Sequence, residues 1–234
     1  MCSRYSLTSP PEAVRSYFDY RNAEDFPPRY NIAPSQPVGI VSLSAKGQRD
    51  FVLVRWGLVP QWVKDPGAFS TLINARSETA AEKPSFRAAL RHRRCLVPTD
   101  GFYEWTGAKG AKIPHLIRLS AEDRAHSSSG SLFAMAGLYE HWLGADGSEF
   151  SSMAILTTAA NRTVATLHER MPVILASADF DAWLDCRPGS AEGIMDLMRP
   201  APDGLLEIVE VNRKLNNPRN EGPDVQEAVR TTLL

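Results

Sequence analysis

The run Arg94-Cys95-Leu96-Val97-Pro98-Thr99-Asp100-Gly101-Phe102-Tyr103-Glu104-Trp105 carries the clearest indication of the fold. Its apolar residues come in short stretches bounded by Pro and Gly, a pattern typical of β-strands. Similar short stretches recur at residues 38–41, 51–54, 115–118 and 154–157. The sequence therefore predicts an α+β protein that is rich in antiparallel strands.

Helical periodicity is confined to short segments, and nothing divides the chain into parts. The helical segments are residues 11–17, 85–91, 160–167, 177–184 and 190–198. No repeat, long linker or shift in composition separates one region from another. We therefore expect a single domain over residues 1–220 and a polar, loosely attached C-terminal tail over residues 221–234.

The composition is that of an ordinary globular protein of 234 residues, with 43% hydrophobic and 23% charged residues. The formal net charge of −1 excludes bulk cationic attraction to a polyanion, so any nucleic-acid site must be a local patch. The three cysteines form no disulfide framework and no metal-binding pair. There is neither an apolar stretch long enough to span a bilayer nor a secretory signal, which predicts a cytoplasmic protein.

The N-terminus, Met1-Cys2-Ser3-Arg4, holds the most reactive candidate group. A second residue as small as Cys allows the initiator Met to be removed, which would leave Cys2 with a free α-amine. The pKa of such an amine is about 7.7–8.0, well below that of a lysine amine. A fraction of the amine is therefore unprotonated and nucleophilic at neutral pH. It can form a Schiff base with an aldehyde, and the adjacent thiol can close a thiazolidine. Alternatively, Cys2 is an incidental residue of a frayed terminus.

Two further polar positions follow strand-like segments. In a strand, Asn74 and Arg76 share one face, where an amide could orient an amine and a guanidinium could bind a phosphate; equally, this segment could cap a helix. Glu104 lies between aromatic residues, which would raise its pKa and suit it to general acid and base catalysis. It could also be a strand residue paired with an arginine.

His168 begins a polar turn that Pro172 closes, beside the cation Arg170. An isolated histidine is more often structural than catalytic, yet this one could polarise or protonate a sugar oxygen. The other four histidines lie in no comparable cluster, and none forms a pair with metal-ligand spacing. The sequence thus predicts neither a metal site nor a cofactor.

Taken together, six segments resemble the SRAP (SOS response-associated peptidase) family. The resemblance runs in order from residue 2 to about residue 217, where Val211-Asn212 and Asn216-Asn217 resemble the family's closing segment. The segments are Met1-Cys2-Ser3-Arg4, Tyr30-Asn31-Ile32-Ala33-Pro34, Arg55-Trp56-Gly57-Leu58-Val59-Pro60, Asn74-Ala75-Arg76-Ser77-Glu78-Thr79, Gly101-Phe102-Tyr103-Glu104-Trp105 and His168-Glu169-Arg170-Met171-Pro172. One departure is Ser3, where the family usually has Gly.

The resemblance implies a barrel-like, largely antiparallel β core flanked by helices, and covalent capture of abasic sites in single-stranded DNA. By resemblance, Cys2 is the nucleophile, Glu104 transfers protons, Asn74 holds the amine and sugar, and His168 assists ring-opening. The implied DNA-binding residues are Arg4 and Arg76 on phosphates, with Asn31, Pro34, Trp62, Trp105 and Thr157 lining the channel.

The resemblance also implies a monomer without cofactor or metal that associates with the nucleoid when it acts on DNA. Weak lyase activity by β-elimination and peptidase-type removal of Met1 are expected beside the cross-linking. Two alternatives stay open from the residues alone. One is a thiol hydrolase with an N-terminal nucleophile that acts on peptides or amides, and the other is a non-catalytic single-strand binding module.

Overall fold

The computed structural model of the chain describes residues 2–127, 130–187 and 193–229. Its strands are β1 (Tyr5–Leu7), β2 (Arg29–Ile32), β3 (Pro37–Leu43), β4 (Arg49–Trp56), β5 (Asn74–Arg76), β6 (Arg94–Thr99), β7 (Gly101–Thr106), β8 (Ile113–Leu119), β9 (Phe133–Leu143), β10 (Glu149–Ala159), β11 (Arg170–Pro172), β12 (Ile174–Leu175) and β13 (Leu206–Glu210). Its helices are α1 (Pro11–Phe18), α2 (Arg87–His92), α3 (Ala121–His126), α4 (Phe180–Leu184) and α5 (Ile194–Leu197).

Five strands close into a ring, in the order β10, β4, β3, β6, β9 and back to β10. Their pairings are antiparallel except for the parallel pair of β10 and β4, and β5 also joins β10 in parallel. Closure of the ring leaves its strands few open edges. The strands approach closely at Gly39, where a Cβ would lie 1.9 Å from Cζ of Phe51. The barrel-like, largely antiparallel core is therefore confirmed.

A second, antiparallel sheet has the strand order β13, β8, β7, β1, β2. One face packs on the barrel, where the ring of Tyr5 meets Trp56 edge-on at 5.2 Å. The other face, which includes Tyr103 and Leu116, is covered by the C-terminal segment through Leu215 and Val225. Because β1 pairs with β7, this sheet fixes the N-terminal residues along the strand that carries Glu104.

All five strand segments expected from the sequence are strands, but the helix expected at residues 160–167 is wrong. That segment contains only a 3-10 turn, Val164–Thr166, within a hairpin loop that joins β10 to β11. The backbone N–H of Ala160 donates to the Glu169 carbonyl at 2.9 Å, so the chain turns back here to pair with β10 instead of continuing as a helix. At residues 190–198, the described helix is only α5, and residues 190–192 lie outside the described part.

The described part of the expected tail is packed against the domain rather than loose. Val225 is fully buried, and Val211 forms a bridge with Ala228. Gln226 donates to the Tyr103 hydroxyl at 2.7 Å. Residues 221–229 thus cover one face of the second sheet, while residues 230–234 lie outside the described part of the chain.

Within the described residues, no helix has the length and apolar character needed to cross a bilayer.

Candidate functional site

The N-terminal segment is held at a junction between the second sheet and the barrel. Asn74 lies at the start of β5, opposite Ile155 of β10. Its side-chain Nδ2 donates to the Cys2 carbonyl at 2.8 Å. Among the described residues, the buried Asn74 Oδ1 has no hydrogen-bond partner. The Asn74 amide therefore fixes the backbone of Cys2 and offers a further acceptor beside it.

Glu104 faces the same junction from β7. The register pairs Tyr5 with Phe102, so extending it by two residues puts Ser3 opposite Glu104. Glu104 is only 5% exposed. Burial raises the pKa of this carboxyl, and the nearby His168 opposes that shift. A carboxyl with a raised pKa can both donate and accept a proton near neutral pH.

The Cys2 thiol is fully buried, which affects the order of its chemistry. Burial raises the pKa of this thiol far above its usual range, and the negative charge of Glu104 raises it further. The Sγ atom lies 3.6 Å from the Arg4 carbonyl and donates to it. In this environment the thiol stays protonated, so an amine at Cys2 would be the first nucleophile and the thiol the second.

His168 is oriented by its own turn. Its Nδ1 accepts a hydrogen bond from the Arg170 backbone N–H at 2.9 Å, which assigns the proton of the neutral ring to Nε2. The Arg170 guanidinium donates to both Glu78 carboxylate oxygens, at 2.6 and 2.9 Å, and to the Thr157 carbonyl. Two of the segments quoted from the sequence, those of Glu78 and His168, are thereby fixed to each other.

An open pocket of about 640 Å³ is lined by Glu104 and His168, whereas Cys2 and Asn74 lie outside its lining. Its lining consists of Ser3, Arg4, Glu104, Trp105, Gly110, Lys112, His168 and Asn216. Sequence reasoning missed Lys112 and Asn216 as pocket residues. Lys112 lies in the hairpin between β7 and β8, and Asn216 holds that hairpin by donating to the Lys112 carbonyl at 3.0 Å. The position of this hairpin directly after the Glu104 strand was the signal that could have revealed Lys112.

Arg4 is fixed above Trp105 by a buried asparagine. The Arg4 guanidinium carbon lies 5.7 Å from the centre of a Trp105 ring, and Nη1 donates to the Asn31 Oδ1 at 2.5 Å. Asn31 is fully buried, and its Nδ2 donates to carbonyls of the C-terminal segment at Leu215, Asn217 and Asn220. Asn31 thus holds Arg4 and the pocket wall together.

The remaining predicted DNA-binding residues lie outside the lining of this pocket. Trp62 is 58% exposed and meets the Phe69 ring edge-on at 5.8 Å. Arg76 is exposed at the end of β5, and Pro34 is half-buried in the turn between β2 and β3. Thr157 is fully buried beside Arg76 in the register of β10 and β5. Within the described residues, no cluster of three or more His, Cys, Asp or Glu side chains could hold a metal ion.

From the raised pKa of Glu104 we predict how the stability of the folded protein depends on pH. Above that pKa the folded protein must bury a carboxylate, whereas below the ordinary value of 4.5 the carboxyl is neutral in both states. The contribution of Glu104 to the free energy of unfolding is thus fully present at low pH and is lost as pH rises through the raised pKa. We expect Glu104→Gln to raise Tm by roughly 2–4 °C at pH 8 and by much less at pH 4. Thermal unfolding at both pH values checks this, and an equal shift at both would contradict it.

The fold and the site together define a mixed α+β, single-domain protein that holds its second residue beside a buried carboxyl group at an open pocket. A sequence model of the family described as SOS response associated peptidase (SRAP) matches residues 1–218. The chain belongs to the SRAP family, as the resemblance predicted.

Relatives cover nearly all of the chain. "Abasic site processing protein YoqW" of Bacillus subtilis (strain 168) is 35% identical over 232 residues, which are 97% of this chain and 100% of that protein. "Abasic site processing protein HMCES" of Rattus norvegicus is 32% identical, over 96% of this chain and 75% of that protein. A crystal structure of a protein from Bacteroides thetaiotaomicron has a TM-score of 0.83 at 26% identity, covering 98% of this chain and 100% of that one.

Proposed function

We propose that this protein captures abasic sites in single-stranded DNA as a covalent thiazolidine on Cys2. One observation carries the proposal: the Asn74 amide donates to the Cys2 carbonyl at 2.8 Å, next to the pocket that the buried Glu104 and His168 line. The names of relatives such as YoqW and HMCES, abasic site processing proteins, support the same substrate.

The chemistry follows from an aminothiol beside a proton donor. After removal of Met1, the Cys2 amine attacks the C1′ aldehyde of the ring-opened sugar, a ring-opening that His168 assists through Nε2. Glu104 protonates the departing hydroxyl and its carboxylate then takes the N–H proton from the nitrogen, so one water leaves, a neutral C=N bond forms and Glu104 is protonated again. The thiol then adds across that bond: sulfur joins C1′, and its proton passes to nitrogen. The product is the protein plus the DNA minus one water.

Burial of the thiol supports this order of steps. A protonated thiol is a poor nucleophile towards an aldehyde, whereas an α-amine is partly unprotonated at neutral pH. The unpartnered Asn74 Oδ1, among the described residues, suits the N–H of that amine or a sugar hydroxyl. The amine therefore attacks first, and the thiol only closes the ring.

The DNA would be held by a few cations and aromatic rings rather than by net charge. Arg4, Lys112 and Trp105 line the pocket, and the exposed Arg76 and Trp62 extend the surface beyond it. Stacking on aromatic rings accepts any base, which suits a protein that recognises a missing one. With few phosphate contacts, the affinity should depend only weakly on salt concentration.

Two further activities follow from the same intermediate and terminus. A Schiff base that is not closed by the thiol can undergo β-elimination, which gives weak lyase activity. Exposure of the Cys2 amine requires cleavage of the Met1–Cys2 bond, and self-processing at this bond agrees with the family's description as a peptidase.

A labelled abasic oligonucleotide tests the proposal on a denaturing gel. We expect a heat-stable shift with abasic single-stranded DNA and none with the same oligonucleotide carrying an intact base. Amide turnover without such a shift would instead support the thiol hydrolase. Binding with no covalent product would support the non-catalytic binding module.

Trp62 provides a test of how the strand is held. We expect Trp62→Ala to weaken binding of undamaged single-stranded DNA by roughly tenfold, since loss of a stacked base costs about 1–3 kcal/mol. Because the side chain is 58% exposed, Tm should change little. Fluorescence anisotropy measures the affinity, and the control Trp62→Phe should retain most of it. Equal affinities for the Ala variant and the wild type would show that Trp62 does not contribute to binding the strand.

A further inference from the structure

A single turn of the C-terminal segment holds both a cation and an aromatic ring of the pocket. The 3-10 turn Arg213–Asn216 is fixed to the domain by Leu215, which is fully buried. The Leu215 carbonyl accepts a hydrogen bond from Nη1 of Arg4 at 3.3 Å. The next side chain, that of Asn216, accepts one from Nε1 of Trp105 at 2.7 Å. Two consecutive residues of this turn thus hold Arg4 and Trp105 in place.

Asn216 uses both ends of its side-chain amide at the pocket. Its Oδ1 accepts from Trp105 and its Nδ2 donates to the Lys112 carbonyl, so it joins the end of β7 to the hairpin that follows. Asn216 is exposed and lines the pocket together with the two residues that it holds. These hydrogen bonds therefore order the wall of the pocket rather than the core.

Trp105 needs such a partner because of its position in β7. Adjacent residues of a strand project to opposite faces of the sheet, and Trp105 packs with Tyr103 on the face that the C-terminal segment covers. It nevertheless lines the same pocket as Glu104, because the strand ends at Thr106. A half-buried indole at the end of a strand can adopt several rotamers. The hydrogen bond from Nε1 to Asn216 selects one of them.

The selected rotamer brings the ring to Arg4, whose guanidinium carbon lies 5.7 Å from the ring centre. Among the described residues, the Arg4 guanidinium donates only through Nη1, to Asn31 and Leu215. Its Nε and Nη2 can therefore bind a phosphate, while an aromatic ring can stack on any base. A cation and a ring held this close suit the phosphate and the base of one nucleotide.

We propose that Asn216 is a positioning residue that holds Trp105 ready to contact the base of the nucleotide next to the abasic site. The inference rests on the proposed function, because it names the part of the strand that this edge of the pocket binds. Ordering a free side chain on binding lowers the affinity, so a ring that is fixed in advance binds DNA more tightly. Because Asn216 acts through Trp105, its loss should weaken binding and leave the covalent step at saturating DNA nearly unchanged.

The test is a double-mutant cycle on undamaged single-stranded DNA, with the affinity measured by fluorescence anisotropy. We expect Asn216→Ala to weaken binding by about tenfold in the wild-type protein. In Trp105→Ala, where there is no ring left to hold, the same substitution should change the affinity by less than about twofold. At saturating abasic DNA, the single-turnover rate of cross-linking by Asn216→Ala should stay within about twofold of the wild-type rate.

The matched control is Asn217→Ala. Asn217 is the next residue of the chain, outside the lining of the pocket, and its side chain accepts a hydrogen bond from the Arg219 backbone N–H at 3.1 Å. This variant should bind DNA as the wild type does.

Three results would overturn the inference. The first is a wild-type affinity for Asn216→Ala. The second is a loss of affinity that persists in full in the Trp105→Ala background, which would show that Asn216 acts through the hairpin or through folding. The third is a wild-type protein that binds no single-stranded DNA. Failure of the proposed function alone is distinguishable, because the wild-type protein would then bind single-stranded DNA but form no cross-link to its abasic form.

Discussion

Replacement of Cys2 by alanine is expected to abolish the heat-stable cross-link to abasic DNA, a loss limited only by the sensitivity of the gel. The thiazolidine needs an amine and a thiol on adjacent carbons, and only a cysteine at the terminus provides both. Cys2→Ser keeps the amine but not the thiol. We therefore expect the serine variant to form a transient Schiff base, which borohydride traps, and to cleave the strand by β-elimination more than the wild type does.

Cys186→Ala serves as the matched control, since Cys186 is a free, partly buried cysteine in a different pocket, which Arg94 and Asp185 also line. It should cross-link at the wild-type rate. Retention of a heat-stable product by Cys2→Ala, or its loss in Cys186→Ala, would place the nucleophile elsewhere.

Substitution of Glu104 by glutamine is expected to slow cross-linking by about 10²–10⁴-fold, the usual contribution of general acid–base catalysis. Glutamine keeps the size of the side chain but cannot deliver the proton that the carbinolamine hydroxyl needs in order to leave. Because the amine and thiol remain, the final product should be the same and only its rate should fall. Single-turnover time courses on denaturing gels measure that rate.

The control for this substitution is Glu149→Gln, which removes a carboxylate from an exposed hairpin position whose side chain is 64% accessible. It should leave the rate unchanged. At pH 8 the Glu104→Gln variant should cross-link more slowly than the wild type and yet have a higher Tm. A variant that is slower and also less stable would indicate a structural role for Glu104 instead.

Much of the fold follows from local sequence patterns, and the exceptions have physical causes. The strand around Leu96 is a short continuous apolar run in which every residue is buried, so the pattern is visible without the structure. Residues 160–167 show a helical pattern, but hairpin pairing from Ala160 to Glu169 overrides it. Helix α3 was missed, although Ser120 caps it by accepting from the Asp123 backbone N–H at 3.1 Å.

The site was harder to predict, because its members come from distant parts of the chain. Cys2, Asn74, Glu104 and His168 could be named from motifs, but only the barrel and the second sheet bring them to one junction. The motif that contains Asn31 did not predict the environment of this side chain. The sequence suggested a residue that lines the DNA channel, whereas the Asn31 side chain is buried and accepts a hydrogen bond from Arg4. Lys112 and Asn216 come together through a tertiary contact that no local pattern encodes.

The most direct measurement of the central claim is the intact mass of the protein after incubation with abasic single-stranded DNA. We expect one new species, with the mass of the protein lacking Met1 plus the oligonucleotide minus one water, and no such species for Cys2→Ala. A protein that keeps Met1 and shows no DNA adduct would contradict the claim.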